Sequence, residues 1–340
     1  MPPELYHQCI DSLLAGPTHL PTNAKRIKFE FDISESDFKR LPQAATHRNG
    51  KSVFWSIFEG SRRVRFRICA RLASKSVGDH AFLENEWVHV PTIWPGAVSV
   101  KVNEEGYVDI SRKQGTAGET PCEIASHLRI GRNVVSVAVA SAAPRGTEFF
   151  GAVEILDTGT QGSIMENVIQ QRSLPEAVTI ELIKSRLAVG DDEVQVVNPE
   201  IHINVADPIS GSLVRVPCRG DSCRHLDVFD LETLLESRRP KQCPHGGSRG
   251  SCLTCLATPK AWPDVAFADT WSCPICGGDV RPGHLVVDKF LHGVVGKLAI
   301  EAGKGKGLVP AVYVDGEGKW RGKPLAKEKE KEREAVTIDG

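Results

Sequence analysis

The sequence predicts an α+β fold that is mainly β. It reads as a β-sandwich-like N-terminal domain, a helical linker and a small metal-bound domain. Three observations predict this. Short stretches between residues 25 and 157 alternate apolar and polar side chains with period two. Two helical patterns follow, interrupted at Pro175. Then Cys223-Arg-His225 and Cys273-Pro-Ile-Cys276 supply two tight pairs of soft ligands, enough to close a tetrahedral zinc shell. The boundaries expected on this reading are 1–160, 161–195, 196–300 and 301–340, with an insertion at 240–268 inside the third segment.

In the first segment, Ile27–Ile33, Val64–Ile68, Val98–Val102, Val134–Val139 and Phe149–Ile155 read as strands. Short strands with turn residues between them make a sandwich or a compact barrel-like domain. In the second segment, Ile164–Ile169 and the stretch from Val178 through Ile183 carry helical spacing. Helices there would set the geometry between the two domains.

In the third segment, Cys273 and Cys276 form a C-x-x-C knuckle, with both sulfurs turned to one ion. Cys223 and His225 make a tighter bite, suited to a loop or strand edge. A redox C-x-x-C pair would need a βαβ setting, whereas this knuckle lies in a Pro/Gly-rich stretch. Between the pairs, Leu231, Leu234 and Leu235 share one helical face, Asp230 is a natural N-cap, and Pro240 stops the helix. Leu285–Asp288 is a short apolar run, and a second helix starts at Asp288.

The insertion repeats the ligand logic with Cys243-Pro-His245 and Cys252-Leu-Thr-Cys255. These four residues would hold a second zinc, or stay as free thiols in a flexible segment, or exchange places with ligands of the first set. Downstream, residues 308–320 read as strand, Gly turn and strand. Residues 327–334 alternate charges, as a solvated helix or linker does.

Composition bounds the function. A length of 340 residues suits two or three domains, and 41% hydrophobic content supports real cores. A formal net charge of −1 supplies no global basic field for nucleic acid. Of the 10 cysteines, seven fall within residues 218–276 with histidines among them, which reads as metal binding in a reducing compartment. Neither a signal peptide nor a long apolar span is evident, so no membrane partner is expected. No Ser/His/Asp group or Gly-rich phosphate loop stands out, which argues against an independent hydrolase or NTPase.

Several of these motifs resemble a known family. Asp207-Pro-Ile-Ser-Gly211, Val216 through Leu226, Phe229-Asp230, Trp271 through Cys276 and Leu285 through Asp288 are similar, in order, to the SP-RING (MIZ) zinc finger of Siz/PIAS SUMO ligases. Leu13 through Leu20, Trp94-Pro95 followed by Val100 through Asn103, and Pro121 through Leu128 resemble the PINIT domain that precedes the finger in that family. The motif that names that domain keeps Pro121 and Ile124 but differs at Cys122 and Glu123.

The resemblance implies a single zinc shell of Cys223, His225, Cys273 and Cys276, with a second RING-like site that is metal-free. The loop of that second site offers Asp207 and Cys218, and Asp207 stands where the family usually has Cys. The cofactor is therefore one zinc, or two if the insertion closes a shell of its own. The implied activity is a SUMO-protein ligase of RING type, with no catalytic residue and no covalent intermediate on this chain. Ile209 from the first loop and Pro274 and Ile275 from the knuckle would dock the SUMO-conjugating enzyme, with Trp271 as either a contact or a core anchor. The PINIT-like domain would help select protein substrates. Partners are then the conjugating enzyme, SUMO and those substrates. The SAP domain often found ahead of PINIT is missing, so no direct nucleic-acid binding is expected. Val336 and Ile338 beside Asp339 resemble a SUMO-interacting motif, which adds as a strand to SUMO's sheet edge. The nucleus, or else the cytoplasm, is the expected location. The competing classes are a non-catalytic zinc scaffold for a transcription or chromatin partner, and a RING-like ubiquitin ligase. Pro208-Ile209 and the apolar Pro274-Ile275 pair favour docking of a conjugating enzyme.

Overall fold

The computed structural model describes residues 5–41, 44–46, 53–55, 58–72, 84–104, 106–108, 119, 121–188, 199–238, 264–266, 271–304 and 309–323. The chain forms two compact units, Met1–Gln161 with Pro240–Trp271, and Gly162–Arg239 with Ser272–Gly340.

In the first unit, every strand expected from alternation is present. Ile27–Ile33 and Val98–Val102 match the sequence reading to the residue. One sheet runs in the order Asp264–Ala266, Leu5–Leu20, Thr147–Thr160, Arg62–Leu72, Cys122–Glu123. The other runs Ile27–Ile33, Gly131–Val139, Val98–Val102, Gly106–Tyr107. Phe66, Ile68 and Val153 of the first sheet share one core with Phe29, Val100 and Val135 of the second. Phe29 meets Phe66 edge-on at 5.3 Å between centroids. The domain is therefore sandwich-like and strand-rich.

Alternation did not reveal the longest strand, Leu5–Leu20. Its register against Thr147–Thr160 slips between Ile10 and Ser12, Leu13 and Ala15, and Ala15 and Thr18. Each irregularity resets which face a side chain takes, so period two is lost in the sequence. Gly16, at φ +85°, marks the tightest approach: a Cβ there would lie 2.5 Å from the Gly151 carbonyl oxygen. The insertion also contributes to this unit, because Asp264–Ala266 pairs in parallel with Leu5, Tyr6 and His7.

A buried charge cluster locks the first sheet. Glu154 is fully buried and accepts from Arg65 Nε at 2.5 Å, Arg67 Nε at 2.7 Å and Trp87 Nε1 at 2.6 Å. Arg67 also donates to the carbonyls of Val90 and Trp87. Such a set is stable only while complete.

The second unit corrects the expected boundaries. The helices Gln161–Gln171 and Glu176–Leu187 fall where the spacing put them, on either side of Pro175. The second of them is not a linker, because Ile183 is fully buried and joins Leu291, Val294 and Leu298 of the Lys289–Gly303 helix. Nor are the strands Ala311–Asp315 and Trp320–Lys323 a separate C-terminal element. They extend a sheet with Glu200–Asn204 and bury Val312 and Val314 in the same core. Burying each of these side chains contributes about 1.5–3 kcal/mol, so neither flank is dispensable.

A second small sheet, in the order Ser173–Leu174, Leu285–Asp288, Pro217–Gly220, Phe229–Asp230, carries the metal loops. Leu231, Leu234 and Leu235 are all fully buried, as their shared face requires.

Replacing Glu154 by Ala should cost about 3–5 kcal/mol, because it removes the carboxylate that offsets the buried charges of Arg65 and Arg67. Urea denaturation followed by tryptophan emission checks this. A loss below about 1 kcal/mol would show that water reaches the two guanidinium groups.

Candidate metal centre

The ligand atoms of Cys223, His225, Cys273 and Cys276 all lie within 4.8 Å of one another. The first pair follows the Pro217–Gly220 strand through a turn in which the Cys223 N–H donates to the Gly220 carbonyl. The second pair sits on a knuckle where the Gly277 N–H donates to the Cys273 carbonyl at 2.9 Å and the Cys273 N–H to the Gly278 carbonyl at 2.7 Å. Gly277 has φ +75°, which a side chain would resist. Gly220 allows the two loops to meet: a Cβ there would lie 2.5 Å from the Asp279 carbonyl oxygen and 3.0 Å from Cys223 Sγ.

The spacing fits a soft divalent ion. Cys223 Sγ and Cys276 Sγ are 3.6 Å apart, and Cys273 Sγ lies 3.3 Å from His225 Nε2. A tetrahedron with metal–sulfur bonds of about 2.3 Å has sulfur–sulfur edges slightly under about 4 Å. His225 Nδ1 sits 2.8 Å from the Asp227 carbonyl oxygen. That oxygen can only accept, so Nδ1 carries a proton; Nε2 faces Cys273, to which it donates when protonated, and would offer its lone pair to a bound ion. Three sulfurs and one imidazole suit zinc and disfavour magnesium or calcium, which take oxygen ligands.

Electrostatics within the cluster point the same way. The Cys273 thiol is pulled down to about 3, first by a hydrogen bond from Cys223 and, against burial, by another from His225. Cys223 is pushed upward by that shared bond with Cys273. His225 is raised above its usual value by its bond to Cys273, with burial opposing. Cys273 thus gives up its proton more readily than Cys223, and a thiolate is what a metal binds.

The first loop is held without ligands. Asp207 is buried; its Oδ1 accepts from the Asp230 N–H at 3.0 Å and its Oδ2 from the Ser210 N–H at 2.7 Å. Asp230 in turn accepts from the N–H groups of Arg215, Val216 and Thr233. Two carboxylates therefore stitch the loop with hydrogen bonds to main-chain N–H groups. Burial pushes the Asp230 carboxyl up, but the N–H donors of Thr233, Val216 and Arg215 outweigh it and hold it below the ordinary carboxylate range. Cys218 is fully buried, and burial, then Asp230 and Asp288, push its thiol well up, as for an inert core cysteine.

Of the docking residues read from the sequence, Ile209 is 41% exposed, Pro274 is exposed and Ile275 is half-buried. Trp271, read as either a contact or a core anchor, takes the second place. It is 2% exposed and its Nε1 donates to the Gln8 carbonyl at 2.8 Å, so it is a core anchor and offers no docking surface. Cys243, His245, Cys252 and Cys255, together with Val336, Ile338 and Asp339, lie outside the described residues. Sequence reasoning missed Arg219 and Arg238, whose long side chains carry no periodic or spacing signal.

No family model matches the chain. Among curated proteins it is similar to human zinc finger MIZ domain-containing protein 2, at 23% identity over 212 residues, covering 60% of this chain and 20% of that protein. It is also similar to the E3 SUMO-protein ligase PIAS4-A of Danio rerio, at 24% identity over 350 aligned positions, covering 98% of this chain and 56% of that protein. Among solved structures it matches the Saccharomyces cerevisiae SUMO E3 ligase SIZ1 at 17% identity and a TM-score of 0.38, covering 95% of each chain. The chain spans 20% of the length of the human MIZ protein. The resemblance to MIZ and Siz/PIAS proteins carried by the motifs is thus found again across the chain.

Two outcomes test the centre. Metal analysis of the purified chain should return one zinc per chain from this shell, and more only if the insertion binds its own. Cys273→Ser should lose that zinc together with the cooperative unfolding of the second unit. A folded, metal-free protein would overturn the assignment.

The Asp230 network makes a separate prediction. Its folded carboxyl titrates below its unfolded value of about 4, so its stabilisation is full above that value and is lost as pH falls through the folded pKa. Asp230→Asn should therefore cost about 1–2 kcal/mol at pH 7, because an amide has only one acceptor oxygen and leaves either Thr233 or the Arg215 and Val216 N–H groups unmatched. The gap to wild type should shrink in acid, where both chains suffer the same loss of metal. Denaturation of both chains at the two pH values decides it.

Proposed function

We propose that the chain is a SUMO-protein ligase of RING type, which docks a charged SUMO-conjugating enzyme and promotes transfer to substrate lysines. The observation that carries this reading is the closed cluster of Cys223, His225, Cys273 and Cys276, in a chain whose relatives include proteins named E3 SUMO-protein ligases. Zinc, when bound, supplies a structural cross-link between two loops and takes no part in bond making.

The reaction is aminolysis. A neutral substrate lysine attacks the thioester carbonyl joining SUMO to its conjugating enzyme. An isopeptide bond forms, and the enzyme's sulfur leaves and takes up the proton. No side chain of this protein is bonded along the way. The gain comes from holding thioester and amine together, an effective-molarity effect.

Ile209 and Pro274 present apolar groups from two loops that are stiffened by the Asp207–Asp230 network and by the metal shell. We take these two, with the half-buried Ile275, as the docking surface. The first unit then acts as a substrate clamp, raising the local concentration of a chosen lysine. Thiols that must stay reduced suit the nucleus as its place of action.

Ile209→Ala should slow single-turnover discharge of the charged SUMO-conjugating enzyme about tenfold, the cost of truncating an interface anchor. Zinc content and melting temperature should stay at wild-type values. Discharge unaffected by the substitution removes Ile209 from the surface. Discharge of a ubiquitin-conjugating enzyme alone would move the protein to the other pathway, and discharge of neither would leave the scaffold reading.

A further inference from the structure

Two guanidinium groups reach the metal loops from outside the ligand set. Arg219 is 3% exposed. Its Nη1 donates to the carbonyl of His225 at 2.9 Å, and its Nη2 donates to Asp288 Oδ2 at 3.0 Å. The same carboxylate oxygen accepts from Thr179 Oγ1 at 2.8 Å. The other Asp288 oxygen caps the Lys289–Gly303 helix by accepting from the Leu291 N–H. Arg219 therefore connects the main chain of one ligand to two helices of the same unit.

Arg238 makes the matching contact on the other side. It is the C-cap of the Leu231–Ser237 helix, and its Nη2 donates to the carbonyl of Ser272 at 2.9 Å. Ser272 is the residue before Cys273, so one arginine holds a carbonyl within the first pair and the other a carbonyl next to the second. Burial lowers both guanidinium groups from their ordinary value. Asp288 and then Cys223 oppose this at Arg219, and Cys273 opposes it at Arg238. Three thiolates and a neutral imidazole around a divalent ion leave one net negative charge, partly removed from water.

We infer that Arg219 and Arg238 are positioning residues that clamp the metal shell, each pinning the backbone of one ligand pair and setting a positive charge against the shell, and that together they slow metal release. This rests on the reading of the four ligands as a metal shell. A lysine could supply the charge at either place, but its single ammonium cannot span both Asp288 and the His225 carbonyl as the fork of Arg219 does.

The test measures zinc transfer from the intact 340-residue chain to a chromophoric chelator, in a Cys252→Ser background so that one shell reports. Arg238→Met should release zinc about tenfold faster, the scale on which lost support around a metal ligand weakens binding. Arg238→Lys, which keeps the charge, should fall back to within about threefold of wild type. Arg219→Lys should keep its ion pair with Asp288 and hence its denaturation midpoint, yet still release zinc about tenfold faster. Leu298→Ala is the control: it opens the core of the same unit, lowering the midpoint without changing release. With cobalt in place of zinc, Arg238→Met should shift the sulfur-to-cobalt charge-transfer band, and Leu298→Ala should not.

Wild-type release from folded Arg238→Met and Arg219→Lys overturns the clamp. So does Leu298→Ala releasing zinc as fast as they do. A wild-type protein that holds no zinc overturns the metal reading and the clamp with it. A loaded wild type with unaffected variants overturns the clamp alone.

Discussion

The second unit depends on closing one shell across a long stretch of chain. His225 and Cys273 are 48 residues apart in sequence, and their ligand atoms are 3.3 Å apart in space. The surrounding sheet is small, and its strands Pro217–Gly220 and Phe229–Asp230 are short. So few ladder hydrogen bonds would not hold two loops in register by themselves. A structural zinc bound by such a set contributes on the order of 10 kcal/mol to folding, comparable to the whole stability of a small domain. Every other feature of the site is arranged around that closure. Gly220 removes a side chain where the loops cross, the His225 ring is fixed by the Asp227 carbonyl, and the first loop is tied by carboxylates.

The loop around Asp207 is held by hydrogen bonds from main-chain N–H groups. A buried Asp207 carboxylate has several acceptor positions, and the loop around it supplies N–H donors from Ser210 and Asp230. Asp230 does the same for Arg215, Val216 and Thr233 while capping the Leu231–Ser237 helix. A cysteine at position 207 would offer one weak donor and a poor acceptor, so the carboxylate holds this loop better than a thiol would. An exposed Ile209 on such a loop would lose little conformational freedom on docking, because its backbone is already held.

Much of this was legible in the sequence because the signals are local. Alternation located Ile27–Ile33 and Val98–Val102, helical spacing located Leu231, Leu234 and Leu235, and pair spacing located all four members of the ligand cluster. What was not legible is non-local or irregular. The bulges of Leu5–Leu20 erase its period, and a helix that reads as a linker gives no hint that Ile183 will meet the Lys289–Gly303 helix. Trp271 lies next to the knuckle in sequence, yet its indole N–H bonds the carbonyl of Gln8, some 263 positions away. Arg219 and Arg238 bind carbonyl groups, which every residue possesses, so nothing in their neighbours' identities announces them.

The excursion between the two ligand pairs explains why an insertion is tolerated there. The chain leaves the second unit after Arg239, contributes Pro240–Trp271 to the first, and returns at Ser272. The entropic cost of closing such a loop grows only with the logarithm of its length, about 0.6 kcal/mol for each doubling. Against the order of 10 kcal/mol that a bound zinc would supply, doubling the excursion is a minor charge on the second unit. The excursion also gains something on the way, because Asp264–Ala266 adds a parallel strand beside Leu5, Tyr6 and His7. The two units are therefore joined by more than a single crossing of the chain. Removing residues 1–160 would leave that strand without its partner, and a fragment 195–300 would lack Ile183, Val312 and Val314 from the core that supports the metal loops. Division of labour between the units is consequently better probed by point substitutions in the intact chain than by cutting it.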